Sequence, residues 1–540
     1  MKNRKIFLLI ILVFILYLSL YSLKENATLS GEYHNNKRNE QENNENKNIN
    51  PISSVYNPIK YEWSRKWNGD DDNDWCSAIA INSSNDIYMA GGTFIYNSPT
   101  SGRYAMCLVK YNNLGVEQWN HTWDGANGAD DIKIDSNNNI YLIGNTDGMD
   151  ICLVKFNSSG DYQWSAIWGG SGNDQCFSLA LDSLDNIYIA GLTNSFGAGN
   201  EDLCLLKFNS TGDYQWNVTW GGSGNDRGHA IGLDDLNNIF VAGSTNSFGA
   251  GNNDLCLLKF NSTGDYQWNV TWGGSGNDRG NAIALDNLNN IFVAGSTNSY
   301  GAGNNDLCLV KFNNTGDYQW NVTWGGSGND RGNAIALDNL NNIFVAGSTN
   351  SFGAGNSDLC LVKFNKIGCY QWNVTRGGKG NDRGYAIALD DLDNIYLAGS
   401  TCLLFADPDN DMYIVKYYIL PWITINSPNP YQLFGNKSLN FDVSINEPHL
   451  NTTWYSLNYG LNYTFSGTSG TIDKIAWDAC GNGTVSIKFY ANDSVGNVVF
   501  NEIIVYKDTS FPNITINSPT PYQLFGNATV DFDLTINDPN

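Results

Sequence analysis

Histidine is nearly missing from this chain. His34, His121, His229 and His449 are the only four in 540 residues, and they lie far apart in sequence. A clustered imidazole site for zinc or for acid–base chemistry is therefore not expected. No G-x-S-x-G nucleophile elbow occurs either. Basic residues are scarce, 30 against 54 acidic ones, for a formal charge of −24. A nucleic-acid partner would need the opposite balance, because phosphates are met by lysine and arginine. Beyond the N-terminal apolar run no stretch carries helical periodicity, which leaves an all-β reading.

What the chain has instead is repetition. A unit of 52 residues begins at Trp216 and begins again at Trp268, and its tryptophan recurs at Trp63, Trp119, Trp164, Trp320 and Trp372. Self-similarity at this period in strand-rich units points to a propeller. Seven tryptophans predict seven blades. Each unit offers four short apolar strands, at 229–234, 238–243, 255–260 and 266–272 in the copy that starts at His229. The N-S-T-G-D turn makes a hairpin of the last two, so the first strand is innermost and the tryptophan strand outermost. Strand 61–67 has no third strand before it, and strand 412–418 has no outermost strand after it. Pairing the two closes the ring with a composite, Velcro-type blade across 59–418.

The strings W-G-G-S-G-N-D, A-I-A-L-D, N-N-I-F-V-A-G-S-T, D-L-C-L-V-K-F-N and T-G-D-Y-Q-W resemble the SBBP-type beta-propeller repeat of secreted and surface bacterial and archaeal proteins. The resemblance covers about two thirds of the chain and is most specific between Trp164 and Trp372. It implies a propeller in a surface protein and brings no catalytic residues.

Around the ring lie less repetitive segments. Residues 1–23 combine a basic start with an 18-residue uncharged apolar run, 6–23, expected to be a hydrophobic helix acting as a signal-anchor or signal peptide. Residues 24–56, rich in Asn, Glu and Lys, read as a disordered linker. After the propeller, ITINSPNPYQLFGN recurs as ITINSPTPYQLFGN at an offset of 91 residues. That spacing suits an Ig-like β-sandwich at 421–508, resembling the Ig-like or fibronectin-like modules of prokaryotic surface proteins, and a truncated second module at 511–540.

Eleven cysteines is an odd number for an exported protein. Cys107, Cys152, Cys204, Cys256, Cys308 and Cys360 share one third-strand position. Equivalent positions in stacked sheets lie about 10 Å apart, whereas bridged Cα atoms approach within about 7 Å. They are expected to be small buried hydrophobes. Cys369, in place of a turn aspartate, is the one expected to react. The recurrent Asp226-Arg227, Asp278-Arg279, Asp330-Arg331 and Asp382-Arg383 are expected to make interblade ion pairs and loop hydrogen bonds, the alternative being a ring of cations at the channel mouth.

The sequon N-x-S/T occurs eighteen times. In the propeller it falls on a turn (Asn157, Asn209, Asn261, Asn313) and on the outermost strand (Asn120, Asn217, Asn269, Asn321, Asn373), which makes these the glycosylation candidates. Acidic loops break the symmetry on the side of blades 7, 1 and 2. Asp70, Asp72 and Asp74 in blade 1 and Asp407, Asp409 and Asp411 in blade 7 supply hard oxygen ligands, and calcium is the expected cation.

Near-identical blades and the missing nucleophile motif argue for a non-catalytic extracellular protein. Its propeller would be a binding or adhesion head for a protein or glycan, Ig-like modules its spacer, and the N-terminal segment its membrane attachment. The alternatives are a secreted enzyme acting on polysaccharide, which needs paired carboxylates in one cleft, and a purely structural envelope component.

Overall fold

The structure is a computed structural model that describes residues 47–49, 59–69, 73–98, 101–402, 410–420, 422–447, 449–494, 496–510, 513–520 and 531–537. The apolar run 6–23 lies outside them. No helix among the described residues is long and apolar enough to cross a membrane.

Each repeat folds into a four-stranded antiparallel sheet taken in chain order. Blade 4 is representative: Asp226–Leu233, Ile239–Thr245, Asp254–Phe260 and Tyr266–Trp272 follow one another across the sheet. Blades 1, 2, 3, 5 and 6 begin at Trp75, Ala129, Asp174, Asp278 and Asp330. Blade 7 takes Arg383–Leu389, Ile395–Thr401 and Asp411–Ile419, and its outermost strand is Ile59–Trp67 from the other end of the chain. The register runs from Ile59 opposite Ile419 to Trp67 opposite Met412. The innermost strand of blade 7 packs on that of blade 1, so the ring of seven closes.

The innermost strands begin about three residues earlier than the hydrophobic pattern predicts. The Asp-Arg pairs of blades 4 to 6 therefore open the strand itself, and in blade 7 the strand begins at Arg383, directly after Asp382. The cause is the aspartate. The Asp278 amide donates to the Asn253 carbonyl of the preceding blade at 2.6 Å, and its Oδ2 accepts from Ser299 Oγ at 2.6 Å and from the Gly274 amide at 2.9 Å. The same bridge joins Asp226 to Glu201, Asp330 to Asn305, Asp382 to Ser357 and Asp74 to Asn410.

The second strands of blades 3 to 7 are buried along their whole length, which is why they read as unbroken apolar runs. In every blade the third-strand lysine lies over the second-strand aromatic ring, Lys259 over Phe240 at 4.9 Å being typical. The outermost tryptophan covers the same ring, with Trp268 and Phe240 centroids 6.2 Å apart. Against Trp268 lies Gly316 of the next blade, at φ +87, where a Cβ would come to 3.0 Å from the indole. The T-G-D turn thus keeps its glycine both for a left-handed backbone and for the indole beside it.

The six third-strand cysteines are buried and unbridged, and burial pushes the Cys152 thiol up to about 12. Only Cys369 and Cys402 are partly exposed. A thiol reagent is expected to modify these two in the native protein and all eleven only after denaturation, as counted by intact mass. Rapid modification of Cys204 or Cys256 in native buffer would contradict the packing.

After Ile419 the chain builds two sheets around one core. Trp422–Ser427, Asn440–Asn446 and Ser469–Thr471 form the first. Leu433–Phe434, Val498–Lys507, Gly483–Asp493, Leu450–Leu457 and Asn462–Phe465 form the second. Phe441, Val485, Phe489 and Trp477 fill the space between them. Trp477 sits on Lys474–Ala479, the one helix among the described residues, which Asp473 caps. The sequence pattern predicts no helix here, because six residues are too short to show a period. Beyond the sandwich, Asn513–Ser518 pairs with Asp533–Asn537 as the start of the second copy. Within the expected linker, Lys47–Ile49 adds in parallel to the outermost strand of blade 5, where an edge offers unpaired backbone groups.

Candidate functional site: the channel and its mouth

Every innermost strand carries a β-bulge, and it falls at the same place each time. The register against the second strand slips between Cys76 and Ala78, Ala129 and Asp131, Cys176 and Ser178, Gly228 and Ala230, Gly280 and Ala282, Gly332 and Ala334, and Gly384 and Ala386. The skipped residues are Ser77, Asp130, Phe177, His229, Asn281, Asn333 and Tyr385. A bulge re-aims its side chain, and all seven line one cavity of about 320 Å³ at the ring axis.

The glycines explain how the bulge fits. Gly295, on the second strand of blade 5, faces Gly280, and a Cβ on it would sit 1.8 Å from the Arg279 carbonyl oxygen. Gly243, Gly347 and Gly399 stand in the same relation to Arg227, Arg331 and Arg383. The frame is held constant by these contacts. The residue it presents is not: only blades 5 and 6 share one.

Blade 2 supplies the charge. Asp131 Oδ2 accepts from Ser178 Oγ at 3.0 Å and from the Leu179 amide at 2.9 Å, and its Oδ1 lies 3.0 Å from Lys133 Nζ. Asp130 Oδ2 accepts from Asn145 Nδ2 at 3.0 Å. Burial, with Asp131 adding its charge, pushes the Asp130 carboxyl up to about 7. Across the channel, His229 Nε2 lies 3.1 Å from Ser244 Oγ, and its ring is 5.2 Å from Phe177. Burial and then Arg279 and Arg227 hold this imidazole well below its usual range, so it is neutral at pH 7.

A carboxyl whose folded pKa lies above its unfolded one makes the fold less stable as pH rises between the two. For Asp130 that window runs from about 4 to about 7. Asp130→Asn is therefore expected to melt with wild type near pH 3 and above it at pH 8. An unchanged difference across that range would remove the strained carboxylate.

Asp70, Asp72, Asp407 and Asp409 lie outside the described residues. Asp74 is buried, and its Oδ2 accepts from the Gly69 amide at 2.7 Å; Asp411 pairs with Lys66 at 2.6 Å. Among the described residues no three or more His, Cys, Asp or Glu side chains are grouped to hold a metal ion. The turn asparagines are engaged: Asn209, Asn261 and Asn313 donate from Nδ2 to Asp213, Asp265 and Asp317, as Asn157 does to Asp161. On the outermost strands Asn217, Asn269, Asn321 and Asn373 accept from a tyrosine hydroxyl three residues before, and Asn120 is exposed.

Of the four Asp-Arg pairs, only Arg227 meets an acid across a blade boundary, Glu201. The interblade ion pair expected at all four is therefore made once among the described residues. At the positions equivalent to Glu201 stand Asn253, Asn305 and Ser357.

The family comparison agrees with a propeller architecture. The beta-propeller repeat family SBBP matches residues 163–197, 220–249, 272–301 and 324–353, and a beta-propeller domain of unknown function matches 289–317. The chain carries SBBP beta-propeller repeats. No curated protein sequence matches it. Among solved structures, it is similar to the extracellular domains of two proteins from B. thetaiotaomicron described as hybrid two component systems. Identities are 12% and 11% and TM-scores 0.38 and 0.39, over 82% and 83% of this chain and 57% and 60% of theirs. The chain thus spans about three fifths of the length of those domains. It is also similar to the BP39L lectin of Burkholderia pseudomallei, at 10% identity and TM-score 0.39 over 62% of this chain and 97% of that one. No activity or ligand passes to this chain at such distances.

Proposed function

We propose that this chain of SBBP propeller repeats is a non-catalytic extracellular binding protein, its propeller the recognition head and its sandwich a spacer. The single observation that supports this reading is the contrast at the channel. Seven bulges hold the backbone in one form, while the side chains they present are a hydroxyl, a carboxylate, a phenyl, an imidazole, two carboxamides and a phenol. A purely structural ring has no use for that variety at one repeated position. A binding surface does, because complementarity to an asymmetric ligand needs different groups at fixed places.

A glycan array run beside a polysaccharide-hydrolysis assay tests the reading. Saturable retention of a glycan with no release of reducing ends is the expected result; turnover would replace it with the enzyme reading. That second reading has one observation in its favour, the Asp130–Asp131 pair in the cleft. Asp131 is committed to Ser178, Leu179 and Lys133, which leaves Asp130 to act alone. If any hydrolysis occurs, Asp130→Asn should abolish it; in the binding reading the same variant alters affinity only.

A further inference from the structure

At the mouth of the channel, on blades 5 to 7, Arg279, Arg331 and Arg383 are exposed and meet no carboxylate within ion-pair distance among the described residues. Their blade-4 counterpart, Arg227, is neutralised by Glu201. The difference is written in the chain: the position that holds Glu201 becomes Asn253, Asn305 and Ser357 in the following three blades. Partial burial of its stem, and then the charges of Arg227 and Arg331, hold the Arg279 pKa below the usual value. In a chain of net charge −24, this is a local arc of uncompensated positive charge.

Two adjoining grooves run between these arginines. One, of about 340 Å³, is bounded by Arg279 and Arg331; the next, of about 200 Å³, by Arg331 and Arg383. Arg331 and Asn333 line both, so the grooves adjoin at these two side chains. Apart from the arginines and Tyr385, their walls are asparagine and serine side chains. Carboxamides and hydroxyls both donate and accept, as sugar hydroxyls do. A guanidinium fork matches a carboxylate or sulfate in two parallel hydrogen bonds. The donor set then repeats at the spacing of the blades, which suits a ligand that is itself a repeat.

We infer that the arginine arc of blades 5 to 7 binds an acidic polysaccharide, a chain bearing carboxylate or sulfate groups, laid across consecutive grooves. This rests on the binding-head reading and assigns its ligand class. Asn281 and Asn333 belong to both the grooves and the axial cavity, so the bound chain would reach the channel lining.

Titration of the full chain with polygalacturonate, a sulfated polysaccharide and neutral dextran, at low and high salt, tests the assignment. Expected is binding of at least one acidic chain, weakened by salt, with dextran ignored. Arg331→Gln should cost about tenfold or more in affinity, as loss of a charge-assisted fork does. Asn253→Glu with Asn305→Glu keeps every arginine and rebuilds the pair seen between Glu201 and Arg227. It should silence binding equally while leaving the melting temperature at or above wild type. Arg227→Gln, whose charge is already met, should change little. Failure of both acidic chains to bind overturns the assignment, as does equal binding of single-stranded DNA or of an acidic peptide. Strong dextran binding untouched by these variants would overturn the ligand class and leave the binding head standing.

Discussion

Deletion of residues 1–68 is expected to abolish cooperative folding of the ring, whereas deletion of 1–55 leaves it folded. The first removes Ile59–Trp67, the outermost strand of blade 7; among the described residues the second removes only the short strand Lys47–Ile49 on blade 5. Trp63 and Trp67 are both buried at 8% exposure within the core shared by blades 7 and 1. Arg65 donates to the Gly115 carbonyl at 2.6 Å, tying that strand to blade 1 as well. Truncating one buried tryptophan costs about 3–5 kcal/mol. Losing two, with Ile59 and a strand of hydrogen bonds, approaches the whole stability of a typical domain, about 5–15 kcal/mol. Equal melting temperatures for the two deletions would show that the ring does not depend on this closure.

The second large effect is expected from one methyl group. Gly295→Ala would place its Cβ 1.8 Å from the Arg279 carbonyl oxygen, backbone against backbone, where no rotamer can give way. Overlap of that kind must separate the second strand from the bulged one, at a cost of about 4 kcal/mol or more. The axial site should deform with it, since Asn281 is the residue that the bulge presents. Gly481→Ala is the control, because nothing lies within 4 Å of a Cβ there. Chemical denaturation of both variants is the measurement. A Gly295→Ala protein as stable as the control would mean that the bulge is not clamped in this way.

Blade number, strand order and ring closure were all legible in the sequence, because each depends on hydrophobic pattern and hairpin turns, and the repeat states these several times over. The bulge was not. It adds one residue to a strand without altering its composition, so R-G-N-A-I-A-L reads as plain strand. Its signal lay in divergence: Ser77, Phe177, His229 and Tyr385 occupy a position that blades 5 and 6 fill with asparagine. Repetition drew attention to what stays the same, and the site is built from what changes. Of the acidic loops of blades 7 and 1, conspicuous in sequence for their charge, the described carboxylates are Asp74 and Asp411 among the six singled out. Asp411 is spent on Lys66, and Asp74 is turned into the blade junction. The Asp-Arg pairs were half legible, for the aspartates do hold the loops together. The arginines part company with one another through a residue 26 positions earlier, which pairs across the blade boundary and so is invisible to local pattern.

The central claim, that recognition resides in the residues presented by the seven bulges, is tested most directly by making them alike. A variant with Ser77, Asp130, Phe177, His229 and Tyr385 all replaced by asparagine, the residue of blades 5 and 6, keeps every bulge and every clamping glycine. Its affinity for a glycan retained by the wild type should be measured by calorimetry, with a melting curve as control. Expected are a cooperative melt and affinity lower by about tenfold or more, because the bound chain keeps the arginine grooves but loses the varied side chains it meets at the channel lining. Wild-type affinity in a folded symmetric ring would contradict it.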